Sequence, residues 1–356
     1  MKSGFVGTAA AVVVGVLLAS APSAARAKSF TVNVTGDAPD ATPGDGFCGT
    51  TSGLCTLRAA IEEANRLPGA DVITIPAGRF TLDAGALDVT DDLTIAGAAA
   101  NRTQIDAQHK SRVFQISGPA IVTISQVTIQ HAFEAEENGG GLVNAGSTLS
   151  LNQVTFANNK VNAGGGGLLN LEGNVTLTNV TFSHNRAGDG GGLTNYGGNL
   201  TLTNVTFAGN TASNGPGALE NAVGGTVQLT HVTFTGNQAR GEGSSLANGS
   251  LGTITLTNTI VSGRSGCSGA GHVTSLGHNI DSGNSCGFNA PGDLSNVRPR
   301  LGTLSTNGGS TKTVGLRPGS PAIDAGDNTV CPATDQRGIT RPQGAGCDIG
   351  AYELQP

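Results

Sequence analysis

Carboxylates are scarce between residues 139 and 262, where only Glu172, Asp189, Glu220 and Glu242 occur. Each is therefore a candidate for chemistry. Two carboxyl groups on one face, one protonated and one ionised, are what glycosidic-bond cleavage requires. Asp189 and Glu242 each stand six residues before an Asn, at 195 and 248, that recurs with the period of the chain. That equivalence predicts a separation of two repeats, roughly 10 Å at the spacing of paired strands. This is near the upper limit for an inverting pair, and the repeat between them offers Asn214 rather than a third acid. Asp189, Glu220 and Glu242 are the catalytic candidates. Solvated turn charges explain the same residues more simply, so the chain reads as non-catalytic. A polysaccharide lyase or inverting glycosidase is the alternative.

Other groups could bind ions or cross-link. Asp37, Asp40 and Asp45 put three carboxylates in nine residues, a weak calcium candidate beside the simpler reading of a turn with Asx hydrogen bonds. No other cofactor is implied. The six cysteines, Cys48, Cys55, Cys267, Cys286, Cys331 and Cys347, are even in number. Six permit about 15 connectivities, and their clustering favours 48–55, 267–286 and 331–347. A zinc site from Cys267, His272, His278 and Cys286 would match none of the common ligand spacings. Arg337, Arg341, Asp335 and Asp348 form the densest charged group and read as ion pairs that dock the tail.

The elements that position these residues are set by a repeat of about 26 residues. One half reads G-G-G-L-x-N, with Asn144, Asn170, Asn195, Asn221 and Asn248. The other reads V-T-F-x-x-N, with Phe156, Phe182, Phe207 and Phe234, closed by Asn159, Asn185, Asn210 and Asn237. In Leu200–Phe207 the apolar parity slips by one across Thr203-Asn204, which a flat strand would not tolerate. A corner at Asn204 lets Leu200, Leu202, Val205 and Phe207 all point inward, because Asn tolerates the left-handed conformation. Three short strands and three corners per repeat describe a right-handed parallel β-helix, here of about nine coils. The recurring Asn residues should form ladders along it.

The chain divides into a processing segment (1–27), an N-terminal cap (28–70), the β-helix (71–281) and an irregular C-terminal cap (282–356). Residues 1–27 carry Lys2, an apolar run, and Ala25-Arg26-Ala27 ahead of the expected cleavage, the pattern of a secretory signal. The mature protein should be secreted or surface-associated, with no transmembrane segment. A net charge of −6 and a pI near 5.5 disfavour nucleic acid as a partner. A surface glycan or another envelope protein fits better. An apolar stripe at Leu57, Ala60, Ile61 and Ala64 predicts a helix over 57–66, N-capped by Thr56.

Cys55-Thr-Leu-Arg-Ala-Ala60 resembles the motif that names the CSLREA family of exported bacterial proteins. Ser320-Pro-Ala-Ile-Asp-Ala-Gly326, Asp335-Gln-Arg-Gly338 and Cys347-Asp-Ile-Gly-Ala-Tyr-Glu353 are similar to the choice-of-anchor Q domain. The resemblance implies a β-helix of the pectin-lyase-like class and no established activity. The motif's Glu, which would complete a capping box, is replaced by Ala59, so Ala59→Glu is expected to be slightly stabilising. No hydrophobic anchor is expected after the C-terminal cap. The repeats also resemble those of polymorphic membrane proteins, which are autotransporter adhesins.

Overall fold

A computed structural model describes residues 1, 4, 27–135, 138–240, 243–263 and 265–356. Most of the expected signal segment, and Glu242, lie outside them. The coils are built as the repeat requires. One sheet stacks eight parallel strands, beginning at Leu87–Val89 and ending at Cys267–Ser268. The largest sheet holds 18 strands, and a narrow one of five holds the short pieces from Phe133–Glu134 to Gln238–Ala239. Eight rungs make seven full turns from first to last. This is slightly fewer than nine, because Val273–Ser275 and Ile280–Asp281 begin a further coil that has no strand in the eight-stranded sheet.

The parity slip is a corner. Gln126, Gln153, Asn179, Asn204, His231, Asn258 and His278 all have φ between 50° and 59°. On either side of it Leu200, Leu202, Val205 and Phe207 are all buried. Phe156, Phe182, Phe207 and Phe234 stack face to face, with centroids 4.7–4.9 Å apart. That distance is the strand spacing itself, so stacking the rings needs no backbone distortion.

Buried amides run parallel to this stack. Asn144, Asn170, Asn195 and Asn221 each donate from Nδ2 to the Oδ1 of the next Asn, at 2.8–2.9 Å, and to a carbonyl at 2.8–3.0 Å in their own coil. The first ladder starts at Asn144 because Ile116 is its register partner one coil earlier, which leaves Asn144 Oδ1 unpartnered. A Cβ on Gly173, Gly198, Gly225 or Gly252 would collide with these amides, so glycine recurs beside them. Asn159, Asn185, Asn210 and Asn237 form a second ladder.

Leu57–Ala64 is the α-helix, and Thr56 Oγ1 accepts from Ala59 N. Ala59, however, has no solvent exposure. A glutamate there would have to bury a charge rather than reach back along a solvated first turn. Ala59→Glu is therefore expected to lower the urea midpoint, by about 1–3 kcal/mol in stability, which reverses the sequence-based expectation. A raised midpoint would restore the capping-box reading.

The tail does more than close the last coil. Residues 301–305 and 313–316 form an antiparallel hairpin, and the chain then runs along the corner column. Thr311 Oγ1 donates to Asn179 O, Asn204 Nδ2 to Thr334 O, and Asp327 N to Asn258 Oδ1. His278 Nδ1 contacts Ala325 O at 2.7 Å, and Gln336 bonds to Thr181 and Thr206. The polar corner side chains and the outward Thr of V-T-F thus find their partners up to 155 residues later. In the densest charged group, Arg337 pairs with Asp335 at 2.7 Å. Arg341 bonds to the carbonyls of Asp348 and Gly350.

Candidate functional site

With the corner face strapped by the tail, the outer face of the eight-stranded sheet is where a groove opens. Residues alternate along each strand, so the position after each inward Leu points out. Register aligns Val143, Leu169, Thr194 and Glu220 in one outward column. Leu171 and Tyr196 face out two residues further along their strands. The turn preceding each strand folds back over this surface. Asp189 lies in such a turn, paired with Gly164 of the coil below, and Gly190, at φ 54°, allows the reversal.

These parts enclose a groove of about 400 Å³. Leu169, Leu171 and Ala222 give it an apolar floor, Tyr196 an aromatic wall, and Asn138, Asp189, Thr194 and Glu220 its polar groups. Tyr196 is about half exposed, at 47%. No Lys or Arg lines the groove among the described residues.

Burial, and then the negative charge of Asp189, push the Glu220 carboxyl up to about 7, against a hydrogen bond from Thr194 that opposes the rise. Thr194 Oγ1 stands 3.3 Å from both Glu220 Oε2 and the Asp189 carbonyl oxygen. One hydroxyl hydrogen cannot serve two acceptors fully. If Glu220 is protonated, its own O–H can donate to Thr194, which then donates to Asp189 O. The groove therefore holds, beside Asp189, a carboxyl that changes protonation state near neutral pH, as an acid that donates a proton to a substrate must.

Asp189 and Glu220, two of the sequence candidates, are thus brought together. Glu242 lies outside the described residues, and Glu172 sits at a turn with φ 56° outside the groove lining. Thr194 and Asn138 are not among the acids that the sequence offers, and Tyr196 stands there only as one of two tyrosines. The signal for Thr194 and Tyr196 is the outward parity of L-x-N-x, visible only once the inward Leu and Asn are assigned.

The three acids weighed for calcium have structural partners. Asp37 pairs with Arg58 at 2.9 Å and accepts from the backbone of Asp83 and Ala84. Asp40 accepts from Thr42 N and Gly49 N, and Asp45 from Phe47 N. A larger cleft, about 570 Å³, lies beside the helix. There Arg58 also donates to the carbonyls of Gly85 and Ala86. Asp106 is buried and accepts from Gln130 while pairing with His131 and Arg79. Burial works to raise its carboxyl, but the bonds from His131, Gln108 N and Gln130 hold it below the usual range.

Two disulfides are present, Cys48–Cys55 and Cys267–Cys286. The second removes two of the four residues weighed for zinc. Cys331 and Cys347, expected to pair, are thiols. Cys347 Sγ stands 3.7 Å from Asp327 O, with the Cys331 thiol beside it. Burial, then Cys331, hold Cys347 protonated. Both thiols lie with His231 in a set of donors within 4.8 Å. The ring does not suit a cation as it stands, since Asn258 Nδ2 is at Nε2 (2.9 Å) and the Arg341 guanidinium contacts Nδ1. Burial and then the Arg341 charge keep His231 neutral, well below its usual range.

A family model described as "Right handed beta helix region" matches residues 112–286, which agrees with the coils and gives their hand. Comparison with curated proteins found no match, and comparison with solved structures found none either. Among the described residues no helix is long and apolar enough to cross a membrane, and the two disulfides are compatible with an oxidising, extracellular setting.

Proposed function

We propose that this β-helix is an exported protein that holds a neutral glycan in the groove of Asp189, Thr194, Tyr196 and Glu220. The observation that carries this reading is the combination in one groove of an apolar floor, an exposed aromatic wall and hydrogen-bonding acids. Sugars present just such a pairing of C–H faces and hydroxyl edges. The volume lies within the range of small-ligand sites. The charge of Asp189 disfavours a uronate, and among the described residues no Lys or Arg lines the groove to neutralise the uronate charge in a β-elimination. A lyase is therefore the weaker alternative.

Hydrolysis is the second reading, and the raised Glu220 carboxyl favours it. Glu220 would donate a proton to the leaving oxygen while Asp189 activates a water or steadies positive charge at the anomeric carbon. The screen is a panel of neutral, amino and uronic oligosaccharides, assayed for retention and for new reducing ends with the mature protein, Tyr196→Ala and Glu220→Gln. Retention weakened about tenfold or more by Tyr196→Ala supports the binding reading. Reducing ends that vanish with Glu220→Gln support hydrolysis. Neither retention nor cleavage by the wild type across the panel would sink both.

A further inference from the structure

The first described rung contains a buried acid with half its hydrogen-bonding capacity unused. Asp71 has no solvent exposure. Its Oδ1 accepts from the backbone nitrogen of Lys28 at 2.6 Å, and its Oδ2 has no partner. A buried carboxylate oxygen left without a donor costs free energy that a fold does not ordinarily leave uncompensated. The charges around it make the deficit larger. Glu63 and Asp91 both face Asp71 with like charge, and the Lys28 side chain is the opposing cation. That side chain is shared, since its Nζ lies against Gly46, whose N–H donates to Glu63. Asp71 thus feels two like charges and one opposing ammonium.

Lys28 is also the residue that follows the expected signal-peptidase site, Ala25-Arg26-Ala27. Both Ala27 and Lys28 are exposed. We infer that cleavage after Ala27 turns the Lys28 backbone nitrogen into an α-ammonium that pairs with Asp71, so that processing itself completes the N-terminal rung. Hydrolysis adds one water across the Ala27–Lys28 bond: hydroxyl to the Ala27 carbonyl carbon, hydrogen to the Lys28 nitrogen. The new carboxyl releases a proton to solvent, and the new amine takes one up. A single N–H donor becomes three, enough for both Asp71 oxygens, and a full positive charge enters where negative charge is in excess. The strand starting at Ser29 already holds the nitrogen in place. Ser29–Thr31 pairs in parallel with the strand Asp71–Ile75, and Val72 N donates to Lys28 O at 2.9 Å.

The test compares the form beginning at Lys28 with one that retains Arg26 and Ala27, each with Asp71 and with Asp71→Asn. The Lys28 form is expected to melt several degrees higher, and Asp71→Asn should erase the difference. Asn keeps one acceptor for the nitrogen but loses the charge and the second acceptor oxygen. Where Asp71→Asn does not fold, isotope-edited NMR of the Lys28 α-amine in the wild type decides. The amine should titrate above about 9, rather than near the ordinary α-amine value of about 8. Its acylation at pH 7.5 should also be at least about tenfold slower than in urea. Equal melting of the two wild-type forms, an α-amine titrating near about 8, or an exported protein whose first residue is not Lys28 would overturn the inference.

Discussion

Between about pH 4.5 and 8 the wild type should lose stability relative to Glu220→Gln. The Glu220 carboxyl titrates near 7 in the fold and at 4.5 in a solvated chain. An acid raised by folding contributes stability that is fully present below 4.5 and is lost as the pH climbs through about 7. The difference converts to at most about 3 kcal/mol, an upper bound because Glu220 retains some exposure. Glu220→Gln keeps the shape and the polarity and cannot ionise. It should therefore match the wild type near pH 4 and exceed it in urea midpoint at pH 8. Asp189→Asn should give a smaller version of the same effect, since the Asp189 charge is the second cause of the shift. Parallel pH profiles for the wild type and Glu220→Gln would show that Glu220 is an ordinary solvated acid.

Phe207→Ala should cost about 3–5 kcal/mol, the range for deleting a fully buried aromatic ring. Phe207 has no exposure and stacks between Phe182 and Phe234, at 4.7 and 4.9 Å. Its loss leaves a void that neither neighbour can fill, because each is held in register by its own strand. Because each coil depends on its neighbours, hydrogen exchange should quicken first in the coils around 199–235. A cost below about 1 kcal/mol by urea denaturation would refute the inward stack.

The coils themselves were legible because their causes are local. A parity slip at Asn204 can be reconciled with a buried Phe207 only by a corner, and an Asn recurring at one place in each repeat marks a ladder. The meeting of Asp189 and Glu220 was not legible by the same counting. Measured from the ladder Asn, Asp189 stands six positions back and Glu220 one, which reads as two separate places. The turn at Gly190 folds the first over the second, and Thr194, bonded to both, marks the overlap. The strap was equally hidden, since Thr334 and Gln336 carry no periodicity that would match them to Asn204 and Thr206. Ala59 shows the same limit: a motif position predicts a cap, and only burial shows what a longer side chain would meet there.

The face that binds is what the account turns on. Backbone-amide NMR mapping of the mature protein, titrated with a neutral oligosaccharide, tests it most directly. Shifts are expected to cluster at Leu169, Leu171, Thr194, Tyr196, Glu220 and Ala222, with the tail-covered corner from Asn179 to Asn258 silent. Shifts confined to the corner, the tail or the N-terminal cleft would contradict it.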